Sequence, residues 1–226
     1  MAGLVKRGEG AVRAGPRRHN PGVAQDTFSS EPAPLLRDPV DLLRLAVFAG
    51  LVRTAFAGQV QIALELVVSL ALMCVPRILF LPRGFDLAFA LGISLEAWGN
   101  VLGFFGRYGW YDTFVHFALT MVAAPTAYLA LARLGILPGP GLVGWRRPYI
   151  GMALISFLIG AGLEAVYEIY EFAVDHATAS HLQLGNTDTV SDLAASSAGA
   201  LVGGQLLVAW AASAMAGSPL RTDEAS

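Results

Sequence analysis

"PYIGMALISFLIGAGLEAVYEIYEFAVDH", residues 148–176, decides the fold. From Pro148 to Leu163 it holds no charged residue. As one helix, its 29 residues would run about 44 Å, longer than a hydrocarbon core of about 30 Å. Near its end come Glu164, Glu168, Glu171 and Asp175. Steps of four, three and four are the helical repeat, so the four carboxylates share one stripe. After His176 no Lys or Arg follows until Arg221. Carboxylates at membrane depth are expensive and generally functional. The segment therefore reads as a membrane span with a polar site on one face.

The composition agrees. The chain of 226 residues is 55% hydrophobic and 14% charged, with a mean hydropathy of +0.57. A soluble domain usually carries about 25% charged residues. Net charge is −2, which offers nothing to nucleic acid. Lys6 is the single lysine among 15 basic residues. Cys74, the single cysteine, excludes an intrachain disulfide. Residues 1–38 are rich in Gly, Pro, Arg and Ala and show no hydrophobic period, so they read as a disordered basic cytoplasmic tail. They lack the apolar core of a secretory signal. Residues 214–226 read as a short C-terminal tail.

Five further stretches frame residues 148–176. Residues 59–81, 85–105, 111–134 and 189–213 each have the length and apolarity of a span. Residues 40–57 are shorter and contain Arg44 and Arg53, and alone could lie in the interface as an amphipathic helix. Loop charges favour a span. With six spans and the N-terminus inside, Lys6, Arg7, Arg13, Arg17, Arg18, Arg37, Arg83, Arg133, Arg146, Arg147 and Arg221 all fall inside. Arg77 lies near the inner end of the second span, whereas Arg107 is outside and Arg53 near the outer end of the first. This is a positive-inside distribution. The expected architecture is an all-α integral membrane protein with six transmembrane helices, a membrane domain over 39–213 and both termini cytoplasmic. The inner halves of the spans read as almost wholly apolar.

The topology gathers polar residues in the outer half. Gln61 and Glu65, Glu96 and Asn100, Asp112 and His116, and Asp188 and Asp192 each stand four apart. Arg53, Arg107 and the outer histidines 116, 176 and 181 cannot balance the nine outer acids. The acids are therefore protonated, bound to cations or open to water. Plainer readings stand beside this one. Asp112 and Asp188 each open a helix and fit N-caps equally well. His116 fits a core histidine bonded to Asp112 as well as it fits a ligand or proton carrier. Glu65 and Glu96 read as protonated interhelical donors, Tyr167 and Tyr170 as part of an interfacial aromatic belt, and His176 and His181 as solvated. Ala195, Gly199 and Gly203, like Ser156 and Gly160, read as close-packing positions.

The motifs "WYDTFVHF" (110–117), "YEIYEF" (167–172) and "LGNTDTVSDLAASSAGALVGG" (184–204) resemble the YjdF-like family of bacterial inner-membrane proteins, whose activity is uncharacterised. The resemblance implies the same multi-pass plan and places Asp112, His116, Glu168, Glu171, Asp188 and Asp192 at the family's polar positions. A looser likeness runs to VanZ-like proteins, with Ser196 standing where those carry Asn.

The expected site binds a divalent cation, Mg²⁺, Mn²⁺ or Ca²⁺, because it is rich in oxygen ligands with at most one imidazole. Glu168, Glu171, Asp188, Asp192 and His116 are the expected metal ligands. His116 with Asp112 is the expected catalytic pair, acting on a lipid-linked or envelope substrate. The alternatives are a proton- or cation-coupled transporter and a non-catalytic membrane subunit. The bilayer is the expected partner, with a membrane protein or a second copy beside it.

Overall fold

The computed structural model describes residues 38–139, 147–177 and 185–216. These residues form seven helices and no strand. They are α1 (Pro39–Phe56), α2 (Val60–Ile78), α3 (Arg83–Leu102), α4 (Phe104–Arg107), α5 (Tyr111–Arg133), α6 (Pro148–Ala177) and α7 (Asn186–Ala216). Five of them, α2, α3, α5, α6 and α7, are long and apolar enough to cross a membrane.

Helix boundaries follow local chemistry. Asp38 caps α1 by accepting a 3.1 Å bond from the Val40 amide, and Pro39 sits where a missing N–H costs nothing. Gly58, at φ 72°, makes the tight turn into α2. Gly103, at φ 68°, ends α3 in the left-handed conformation that glycine adopts freely. The span expected over 85–105 therefore stops at Leu102, and residues 104–107 form the separate short α4.

The pattern of exposure is inside out. On α1, Leu42 is 62% exposed and Phe56 89%, while Asp41 is 4% and Arg44 7% exposed. On α6, Ile150, Leu154, Leu158, Val166 and Ile169 face outward, while Glu164, Glu168 and Glu171 are buried. Apolar side chains outward and polar ones inward suit a lipid solvent. An interfacial helix would turn its charges to water, and α1 turns Asp41 and Arg44 into the bundle.

Two packed groups make up the core. Val47 of α1, Leu66 and Met73 of α2, and Ala90, Ile93 and Ala97 of α3 form one. Leu81, Tyr128, Leu129, Met152, Leu207 and Ala211 form the other, mainly from α5, α6 and α7. α3 joins them through absent side chains. A Cβ at Gly99 would come within 2.6 Å of the Tyr111 ring, and one at Gly92 within 2.7 Å of Val122. The Tyr111 hydroxyl then donates to the Leu95 carbonyl at 2.8 Å.

The glycine stripe of α7 packs more tightly still. A Cβ at Gly199 would stand 2.2 Å from the Phe117 carbonyl oxygen, and one at Gly203 2.2 Å from that of Met121. Pro125 has no N–H to offer the Met121 carbonyl. Gly203 brings α7 directly onto that carbonyl. Gly160 of α6 meets Ala200 in the same way, at 2.6 Å.

Candidate functional site

Three helices bring the acidic stripe onto one histidine. His116 lies in the second turn of α5 and is 6% exposed. Its Nε2 lies 3.3 Å from Asp112 Oδ1 on the turn before it. Its Nδ1 lies 2.6 Å from Glu164 Oε1 on α6. Both ring nitrogens thus face carboxylate oxygens. All of these contacts are satisfied when both nitrogens carry hydrogen, or when a carboxyl supplies one of the protons. The His116 carbonyl accepts from the Ser196 hydroxyl of α7 at 3.1 Å. Ser196 therefore pins α7 to α5 beside the ring.

His116 belongs to two sets of potential ligands, one with Asp112 and Asp192, the other with Glu164 and Glu168. Within each set the ligand atoms lie within 4.8 Å of one another. Asp192 is 2% exposed, and its Oδ1 has no hydrogen-bond partner among the described residues. A buried carboxylate oxygen left without a donor is a costly arrangement for scaffold.

The other expected ligands lie further out. Glu171 is buried one turn beyond Glu168, within Coulombic reach of Glu168, His116 and Asp112. Asp188 is half-buried in the first turn of α7, within reach of Asp192. Neither joins His116 in a ligand set. Asp112 is the second residue of α5, whose cap position is Trp110, so its carboxylate serves His116 and not the helix end. His176 is exposed, with its ring 4.2 Å from that of Phe172. His181 falls outside the described residues.

Two residues change role. Glu164, read from the sequence as part of the acidic stripe and not among the expected ligands, is the direct partner of His116. Its place on the stripe, one turn below Glu168, was the available signal. Tyr167, expected in the aromatic belt, turns inward. Its ring meets that of His116 edge-on at 5.7 Å, and its hydroxyl donates to Glu96 Oε1 at 3.4 Å. Asn100 donates to the same oxygen at 3.0 Å. Glu96 thereby joins α3 to the edge of the site. Glu65 stays with its own neighbour, accepting from Gln61 at 3.2 Å.

The opposite end of the bundle corrects another expectation. That end, read from the sequence as almost wholly apolar, holds the buried Asp41, Arg44 and Asp86. Arg44 donates to Asp41 Oδ1 at 2.9 Å, to Asp86 of α3, and through Nε (3.1 Å) and Nη2 (2.9 Å) to the Met73 carbonyl of α2. That carbonyl lies three residues before Pro76, in the second half of α2. Arg77 reaches the same Asp41 oxygen at 3.1 Å. Asp38 meets Arg83 at 3.0 Å, and this bond holds the Asp38 carboxyl below its usual range. Counting basic residues for topology left out Asp41 and Asp86, the acids that pair with them.

The chain belongs to the family described as predicted membrane protein (DUF2238), whose model matches residues 40–213. The chain is thus a multi-pass membrane protein. No curated protein and no solved structure matches it.

Proposed function

We propose that this DUF2238 member binds a divalent cation at His116 and uses it on a lipid-linked or cell-envelope substrate. The observation that carries the reading is Asp192 Oδ1, buried and without a donor, in a ligand set with His116 and Asp112. Carboxylates from α5, α6 and α7 around one imidazole suit Mg²⁺, Mn²⁺ or Ca²⁺. Asp192, Glu168 and Glu164 are the oxygen ligands. His116 is a ligand or the general base, oriented by Asp112. Glu171 and Asp188 lie further out on α6 and α7, beyond the two ligand sets. The bound cation would polarise a phosphoryl or carbonyl oxygen or activate water.

Six spans with both termini cytoplasmic complete the reading, in a bacterial inner membrane. The buried Asp41 and Arg44 of α1 support a crossing by that helix, and the basic loops support the orientation. The site then lies in the outer half, where envelope precursors are handled. The likeness of "WYDTFVHF" and "YEIYEF" to YjdF-like proteins supports the same placement.

Mn²⁺ titration of the detergent-purified protein, read by electron paramagnetic resonance, tests the proposal. The wild type should bind, and Glu168→Ala with Asp192→Ala should not. Equal binding by both would sink it.

Coupled transport is the second reading, favoured by buried ionisable groups at both ends of the bundle. The two groups centre on different helices, α1–α3 and α5–α7, with Glu96 of α3 at the edge of the second. Cation or proton flux in proteoliposomes that stops in Glu164→Gln would establish transport instead.

A further inference from the structure

α6 stands apart from α2 and α3. Among the described residues, no Cα of α6 lies within 8 Å of one in either helix. Packed helices, with axes about 8–10 Å apart, bring facing Cα atoms closer than that. α5 is the floor of the gap. Gly92 seats α3 on Leu119 and Val122, and Gly160 seats α6 on Thr120 and Ala124. Those close approaches fix both walls. What crosses between them is a side chain. The Tyr167 hydroxyl donates to Glu96 Oε1 at 3.4 Å, long for a bond of this type. The ring beneath that hydroxyl lies against His116. A side chain turns about its own torsions far more readily than a packed helix moves.

The gap is polar at membrane depth. Glu96 stands six residues before the end of α3 at Leu102, or about 9 Å along the axis. Asn100 bonds to it. Glu65 of α2 lies within Coulombic reach of Glu96, Tyr167 and Tyr170. Around this lining the helices turn apolar side chains outward, Leu64 and Val68 on α2, Val166 and Ile169 on α6. The gap thus opens sideways into hydrocarbon. An acyl chain offers its polar groups no partner. A water-soluble molecule would have to cross hydrocarbon to enter from the side. A lipid slides in with its chains still in the bilayer, and its head supplies the partners. Glu65 and Glu96 offer acceptors, and Tyr167 and Tyr170 offer ring faces 5.9 Å apart. Carboxylates beside aromatic rings suit an ammonium head.

We propose that the gap between α6 and the α2–α3 pair is a lateral entrance through which an ammonium-bearing lipid head reaches His116, and that Tyr167 is its gate. The entrance rests on the reading of His116 as a site for a lipid-linked substrate, and it gives that substrate a route. With its hydroxyl on Glu96, Tyr167 closes the gap. Turned away, it uncovers His116.

Photolabelling in nanodiscs tests the entrance, with a phosphatidylethanolamine that carries a diazirine beside its ammonium. Peptides containing Glu96 and Tyr170 should be labelled, below the depth at which heads ordinarily lie, and excess unlabelled phosphatidylethanolamine should suppress the label. Tyr167→Phe keeps the ring and loses the bond to Glu96, so labelling should rise about fivefold. The wild-type pattern decides the entrance even where that variant folds poorly. Label confined to the helix ends would overturn the proposal, and equal labelling of the wild type and a folded Tyr167→Phe would remove the gate. Water alone in the gap would also overturn it, seen as fast reaction of Tyr170→Cys, in a Cys74→Ser background, with a membrane-impermeant maleimide and no head label. Mn²⁺ titration of the same sample separates the two readings. Label at Glu96 without Mn²⁺ binding supports the entrance and removes the cation, whereas Mn²⁺ binding without that label removes the entrance alone.

Discussion

The ion cluster of α1–α3 and the carboxylate cluster of α5–α7 are built from similar residues and differ in balance. At one end Arg44, Arg77 and Arg83 meet Asp38, Asp41 and Asp86, charge for charge. At the other, Asp112, Glu164, Glu168 and Asp192 surround His116 alone. The first cluster is closed, because each guanidinium has an acid and Arg44 also takes the Met73 carbonyl. The second is open, because it holds more negative charge than one imidazole can answer. A closed cluster holds helices together. An open one is completed by something that is not part of the chain.

The largest expected effect comes from breaking the closed cluster. Asp86→Ala leaves the buried Arg44 short of a partner and should cost about 3–5 kcal/mol in an SDS unfolding titration. Arg44→Met with Asp86→Leu removes both charges and keeps the Asp41–Arg77 pair. It should fall within about 1 kcal/mol of the wild type. If the single substitution were as mild as the double, the cluster would not be the tie proposed.

The open cluster should behave in the opposite way. Asp192→Asn should lower Mn²⁺ affinity more than tenfold while leaving the metal-free protein as stable as before or more so. A loss of stability with unchanged Mn²⁺ affinity would make Asp192 scaffold. Binding should also depend on pH. Both His116 nitrogens face carboxylates, so an entering cation displaces a proton. With one proton released per ion, affinity should rise about tenfold per pH unit, and calorimetry in two buffers should count that proton.

A smaller effect is expected at the rim. Glu171→Gln, one turn beyond Glu168 and outside both ligand sets, should lower Mn²⁺ affinity by less than about tenfold. A loss as large as that of Asp192→Asn would make Glu171 a ligand.

The smallest effect belongs to Asp38, before α1. Its carboxyl titrates below the usual 3.8 because Arg83 hydrogen-bonds the charged form. A lowered folded value means that the stabilisation is complete above the ordinary carboxylate range and is lost as pH falls through the lowered one. Thermal stability between pH 5 and pH 3 should therefore fall a little less steeply in Arg83→Gln than in the wild type. Equal slopes would show that the exposed Arg83 contributes nothing.

Much of this was legible in the residues. Apolar stretches and the 4-3-4 spacing of Glu164, Glu168, Glu171 and Asp175 are local patterns, and local geometry turns them into helices with marked faces. The glycine stripe at 199 and 203 announced a close approach, although not that it would be made onto the Phe117 and Met121 carbonyls. Gly103 shortened α3 because one left-handed residue outweighs several apolar neighbours.

Partners across helices were less legible. Sequence spacing relates residues on one helix and says nothing about rotation between helices. The sequence by itself determined an all-helical membrane chain with an acidic stripe and one histidine near it. Only the tertiary structure decided that Glu164 is the acid that meets His116, that Tyr167 turns inward, and that Asp41 and Asp86 neutralise Arg44. The physical reason is that helix rotation and depth are set by packing at Gly92, Gly99, Gly160, Gly199 and Gly203, where backbones touch. Those contacts settle which charges end up facing one another.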